Sequence, residues 1–225
     1  MIRAGLHYTS RPNGRQYYDL SSNDLPSRRV EFRKAPLTGS RKACALRHPV
    51  QAGLATELHN LQAIDISSEN FRPFGQLSGP VDDGKQYDEQ DAQLVLDKGT
   101  PRFYIMRLPS RGVAFDRITY HAQVTQCLGG LGEQPWFLAV AEPSGSVEAW
   151  PQLSDLHVFR IPPGVFIKLH QATWHAGPFF QEAQHMDFYN LELSDTNIAD
   201  HCTHVYEGMQ LVINTKRTMY DTFEP

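Results

Sequence analysis

Short apolar runs, each closed by proline or glycine, follow one another along the chain from Leu54 onward. They read LQAIDI (61–66), RFYIMRLP (102–109), ITYHAQVTQCLG (118–129), WFLAVAEP (136–143), HVFRIPPG (157–164), VFIKLH (165–170) and MDFYNLEL (186–193). Runs of this length and spacing predict a sandwich or barrel of antiparallel strands, because alternating strand and helix units would need longer periodic segments between them. The one helical signal is Ser67 or Ser68, placed to cap a single turn before Pro73. The stretch GPVDDGKQYDEQDAQ (79–93) is acidic, contains glycine and has no period, so it predicts a surface loop with solvated acids.

Within ITYHAQVT, Ile118, Tyr120, Ala122 and Val124 alternate with Thr119, His121, Gln123 and Thr125. One strand with an apolar and a polar face follows. The same reasoning puts Val165, Ile167 and Leu169 on one side of the next run, and Phe166, Lys168 and His170 on the other. Upstream the texture differs. The first 50 or so residues lack any sustained period and are rich in Arg, Ser, Pro and Gly, which predicts an extension over residues 1–56 and a single domain over 57–225.

Charge sharpens that division. Residues 1–56 carry ten Lys and Arg against three acids, a balance of +7, which leaves −11 on the rest of a chain whose net charge is −4. The acidic remainder argues against a nucleic-acid surface on the domain. The basic, Ser-bearing leader has the composition of an organelle transit peptide, or of a solvated tail that docks on an acidic partner. No apolar run approaches the length of a membrane span, so an intracellular protein off the membrane is expected. Cys44, Cys127 and Cys202 have no paired spacing, which suits a reducing compartment and small buried hydrophobes better than a disulfide framework or a zinc site.

The candidate chemistry is carried by histidines. Of ten in the chain, His121, His170, His175 and His185 fall in or beside strand runs, near Arg102, Arg107, Lys168, Asp187, Tyr189 and Glu192. A polar row turned into a barrel would line a ligand cavity; turned outward, it would only be wet. Trp174, between two of these histidines, reads as a core or lid aromatic that excludes water from such a cavity.

Four segments resemble the ureidoglycolate lyase family, in the form of its plant and algal branch. They are GTPRFYIMRL (99–108), HAQVTQCLGGLGEQPWFLAVA (121–141), FIKLHQATWHAGPFF (166–180) and MDFYNLELSDTN (186–197), and the likeness spans about Leu61 to His204. The resemblance implies an all-β fold with few short helices, a cupin-like double-stranded β-helix or jelly-roll barrel. It also implies a homodimer that splits ureidoglycolate into glyoxylate and urea during allantoin and purine breakdown. His121, Arg107, His170, His175, Asp187 and Glu192 match positions of the family pattern. Two departures stand out: Lys168 occupies a position where the bacterial form tends to have an amide, and other cupins carry an HxH metal pair where this chain reads His121-Ala122-Gln123.

The substrate so implied is a carbinolamine bearing a carboxylate. Its collapse needs a base for the hydroxyl proton, an acid for the departing nitrogen and a cation for the carboxylate. His170 and His175, with His121 in reserve, suit the proton transfers near neutral pH. Arg107 or Lys168 suits the carboxylate, with Arg102, Tyr189, Glu192 and Trp174 around it. Asp187 or Glu192 would orient an imidazole. A divalent metal on His121, His170 and His175 is the competing arrangement, ranked second because the HxH pair is missing. Release of ammonia in place of urea, and a small-carboxylate-binding protein without turnover, stay open as alternatives.

Overall fold

The structure is a computed structural model that describes residues 56–144 and 148–217. The extension predicted over residues 1–56, and Cys44 with it, lies almost wholly outside the described residues. The chain forms β1 (Glu57–Asp65), α1 (Ser68–Phe71), β2 (Gly75–Ser78), β3 (Pro101–Pro109), β4 (Ala114–Phe115), β5 (Arg117–Tyr120), β6 (Gln126–Gly130) and β7 (Trp136–Ala141). After a 3₁₀ turn at Leu153–Asp155 come β8 (His157–Ile161), β9 (Phe166–Leu169), β10 (Trp174–Phe179), β11 (His185–Leu193), α2 (Thr196–Ala199), β12 (Cys202–Val205) and β13 (Met209–Asn214). No helix among the described residues is long and apolar enough to cross a membrane.

Two sheets result. One has eight strands in the order β12-β5-β10-β7-β8-β1-β13-β4 and curls into a half-barrel; the other has five, β2-β9-β6-β11-β3. This is an all-β, jelly-roll, cupin-like fold. Pairing is antiparallel as the punctuation implied, except around β1, which runs parallel to both β8 and β13. Ser67 caps α1 as the sequence suggested: its hydroxyl accepts from Asn70 N–H at 3.2 Å, and the Asn70 side chain takes the Ser67 N–H at 2.8 Å.

Two apolar clusters flank the eight-stranded sheet, and β7 shows why its sequence is a continuous apolar run. Phe137, Ala139 and Ala141 enter a cluster inside the curl of that sheet, whereas Trp136, Leu138 and Val140 enter a cluster shared with the five-stranded sheet. Both faces are dry, so alternation disappears. Burying each of the larger side chains contributes about 1.5–3 kcal/mol. On β11, Phe188 belongs to the shared cluster, so Asn190 and Glu192 face the space between the sheets while Asp187, Tyr189 and Leu191 face outward.

One strand expectation fails instructively. ITYHAQVTQCLG is two strands in different sheets: β5 ends at Tyr120, the chain crosses over through 121–125, and β6 begins at Gln126. The crossing is held by Asp200, whose two carboxylate oxygens accept the backbone N–H groups of Ala122 and Gln123 at 2.8 Å each. Those two donors are therefore unavailable to a sheet ladder. Near the same end, Gly75 lies so close to β9 that a Cβ would sit 2.0 Å from the Lys168 carbonyl oxygen, so only glycine lets β2 pair there.

The loop 79–93 is on the surface as expected, but two of its acids are paired: Lys85 Nζ lies 2.9 Å from Asp88 and 3.0 Å from Asp91. Gln76, beside Lys168 in the sheet, donates to the carbonyls of Glu89 and Asp91 at 3.1 Å each, fastening this segment over the outer side of the five-stranded sheet.

Candidate active site

Three histidines meet at one end of the space between the sheets. His121 follows the end of β5; His175 lies on β10, where Trp174 and Ala176 belong to the inner cluster, so it points to the opposite face; His201 immediately precedes β12. The His121 ring centroid is 5.2 Å from that of His175 and 5.5 Å from that of His201. His121 is buried, His175 half-buried and His201 exposed, so the group runs from the interior to solvent.

Backbone carbonyls fix the tautomers. His121 Nδ1 contacts the Asp200 carbonyl oxygen, and His175 Nδ1 lies 3.1 Å from the Thr173 carbonyl oxygen. A carbonyl can only accept, so each Nδ1 carries the hydrogen and each neutral ring is left with a bare Nε2. Burial pulls the His175 pKa down to about 3, and the neighbouring His121 and His201 push the same way. Burial also lowers His121, but the Asp200 carbonyl and the charges of Asp200 and Glu192 work against it. His201 is lowered by desolvation and by His121, with Asp200 and Glu192 opposing. Glu192 thus belongs electrostatically to this group.

Glu192 is 1% exposed. It accepts from Tyr104 Oη at 3.2 Å, Gln126 Nε2 at 3.1 Å and Asn197 Nδ2 at 3.5 Å. Asn190 Nδ2 donates to Tyr104 Oη at 3.0 Å, and Gln126 Nε2 is shared with Asn190 Oδ1. Arg102, about half exposed, lies 3.8 Å from Glu192 with its guanidinium 3.7 Å from the centre of the Tyr104 ring. A carboxylate buried this deeply is tolerable because several donors surround it. Gln126 Oε1 is buried and has no hydrogen-bond partner.

The remaining predicted residues are elsewhere, and the alternation of the strands explains each case. Lys168 and His170 do share a face, with Lys168 Nζ 3.0 Å from His170 Nδ1, but it is the outer face, because Ile167 and Leu169 fill the shared core. His170 Nε2 lies 3.2 Å from the Arg72 carbonyl oxygen, so this ring carries its hydrogen on Nε2 and accepts from Lys168 through Nδ1. The pair therefore stands apart from His121 and His175, and the metal set of His121, His170 and His175 does not assemble. Among the described residues no group of three or more His, Cys, Asp or Glu is arranged to hold a metal ion.

Arg107 and Asp187 form a two-pronged ion pair at 2.7 and 2.8 Å across β3 and β11 on the outer face; Asp187 orients none of the three clustered imidazoles. Tyr189 is exposed on the same face, stacked on Phe103 at 5.8 Å. Trp174 is 1% exposed in the inner cluster, packed 4.4 Å from Tyr120 with Nε1 donating to Ser144 Oγ at 2.9 Å; it is a core residue. Cys127 is buried, its thiol pushed up to about 11 by desolvation, and Cys202 is buried also, as the sequence suggested.

His201, Asp200, Gln126, Asn190 and Tyr104 were not singled out from the sequence. Asn190 could have been, since it alternates in phase with Glu192 in MDFYNLEL. Asp200 and His201 carry no local period, and their approach to His121 is a long-range contact. No protein-family model matches the chain, and no curated protein matches it.

Proposed function

We propose that this chain is an acid–base lyase that splits ureidoglycolate into glyoxylate and urea at the His121, His175, His201 and Glu192 group. The observation that carries the reading is the pair of adjacent imidazoles whose Nδ1 hydrogens are committed to carbonyls, which leaves two bare Nε2 lone pairs, with the charge of the buried Glu192 acting on His121. The resemblance of the four sequence segments supplies the substrate.

The roles divide by electrostatics. His121 is the base: burial lowers its pKa and keeps Nε2 free to take a proton, while the Asp200 carbonyl and the charges of Asp200 and Glu192 support the imidazolium formed during the reaction. Its Nε2 takes the carbinolamine hydroxyl proton, the O–H electrons form the aldehyde C=O, and the C–N bond breaks. His201, exposed, gives the urea nitrogen a proton it takes up from solvent, and His121 afterwards releases its proton to solvent, which restores both rings. His175, neutral down to about pH 3, accepts a hydrogen bond from the substrate and takes no proton. Arg102 replaces Arg107 and Lys168 as the partner of the substrate carboxylate, since it alone of the three stands at Glu192.

Coupled detection of glyoxylate, with urea and ammonia measured in parallel, tests the reading. His121→Ala should lower kcat by about 10²–10⁴, while His170→Ala keeps the parent rate. Absence of glyoxylate release from the intact protein would overturn it. Retention of oxalurate, an uncleavable carboxylate with a ureido group, without any turnover would support the small-acid binder instead, with the bare Nε2 of neutral His175 accepting from the ureido N–H groups.

A further inference from the structure

Asp200 ends α2, and its backbone N–H is held by the Thr196 carbonyl at 3.0 Å. Thr196 is itself 1% exposed and accepts the Leu193 N–H on its hydroxyl at 3.0 Å, which ties this turn to the end of β11 just beyond Glu192. From that fixed place Asp200, 8% exposed, makes three contacts with the 121–123 crossing. Its carbonyl receives His121 Nδ1–H, and its carboxylate oxygens receive the N–H groups of Ala122 and Gln123, one each. On the other side the His121 carbonyl accepts the Ala172 N–H at 2.7 Å, joining the crossing to the turn whose Thr173 carbonyl holds His175.

We infer that Asp200 is the positioning residue of the histidine group: it fixes the place of the crossing with its side chain and the tautomer of His121 with its backbone. Here each of the two successive N–H donors is aimed at its own oxygen of the one carboxylate, and an asparagine in the same place offers an acceptor to only one of them. Asparagine would turn an N–H₂ toward one of the two donors, displace the crossing and release the carbonyl from His121 Nδ1. The bare Nε2 would then be shared with the other tautomer. The consequence for rate rests on the lyase reading; the tautomer itself does not.

Nitrogen NMR of the intact protein labelled in histidine, at a pH where the rings are neutral, reads the tautomer directly. The parent should show His121 with Nδ1–H. Asp200→Asn should give a mixture, with kcat on ureidoglycolate falling on the order of 10- to 100-fold and KM changing by less than about threefold, as for a group lost in the transition state alone. An Nε2–H ring at His121 in the parent overturns the inference, as does an Asp200→Asn protein with parental tautomer and kcat. If Asp200→Asn does not fold, the parent spectrum decides. The predicted tautomers in a protein that does not cleave ureidoglycolate would sink the lyase reading and leave Asp200 in its role.

Discussion

Replacing Lys168 with methionine should stabilise the protein. Lys168 is 2% exposed, its amine has His170 Nδ1 as an uncharged acceptor at 3.0 Å, and burial pulls its pKa below the ordinary value of 10.5. Methionine keeps most of the apolar stem and removes the amine. The lost hydrogen bond costs about 1 kcal/mol, and half-buried His170 can replace it with water. Relief from burying a charge without a carboxylate partner outweighs that loss, as replacements of buried ions by apolar groups commonly show, for a net gain of about 1–3 kcal/mol near neutral pH. In a domain of this size each kcal/mol moves Tm by roughly 2–4 °C.

The sign with pH follows from linkage. Between the lowered folded pKa of Lys168 and 10.5, the unfolded chain holds a proton that the folded chain lacks, so parental stability rises with pH through that window. The advantage of Lys168→Met should therefore be largest below the folded pKa and shrink toward pH 10.5. Thermal unfolding followed by circular dichroism at several pH values measures this, and glyoxylate release should be unchanged because Lys168 is on the outer face. Destabilisation at pH 7, or a gain that grows toward pH 10.5, would refute the reasoning; loss of turnover would return Lys168 to the site.

Three further outcomes are expected. As pH falls from about 6.5 toward 3, the unfolded chain protonates at His175 while the folded one does not, so stability should drop, and His175→Gln should remove on the order of 2–4 kcal/mol of that drop in urea titrations. The shifts of His121, His170 and His201 have the same direction, so part of the slope should persist in that variant. Arg107→Ala breaks an exposed, solvent-screened ion pair and should leave the chemical-denaturation midpoint nearly unmoved, with kcat and KM unchanged in the glyoxylate assay. Trp174→Phe should cost about 1 kcal/mol for the Ser144 bond and Trp174→Ala about 3–5 kcal/mol, both by chemical denaturation, with Trp174→Phe retaining turnover.

By itself the sequence determined the class of fold, several of the longer strands and much of the side-chain phase, whereas β2, β4, β10, β12 and β13 lay outside the apolar runs it offered. Apolar alternation is a local property, so Ile167 and Leu169 against Lys168 and His170 could be assigned to opposite faces without a structure. The Ser67 cap and the loop 79–93 were legible for the same reason: their causes lie within a few residues. Which face looks inward was decided only in the tertiary structure. Alternation is unchanged when a sheet is turned over, and the packing of the two sheets put Lys168, His170, Arg107, Asp187 and Tyr189 outside and Glu192 inside. The end of β5 was likewise set from afar, by Asp200, 79 residues beyond His121 in the chain. Contacts of that separation leave no period in the residues they join, which is why His201 and Asp200 enter the site only once the chain is folded.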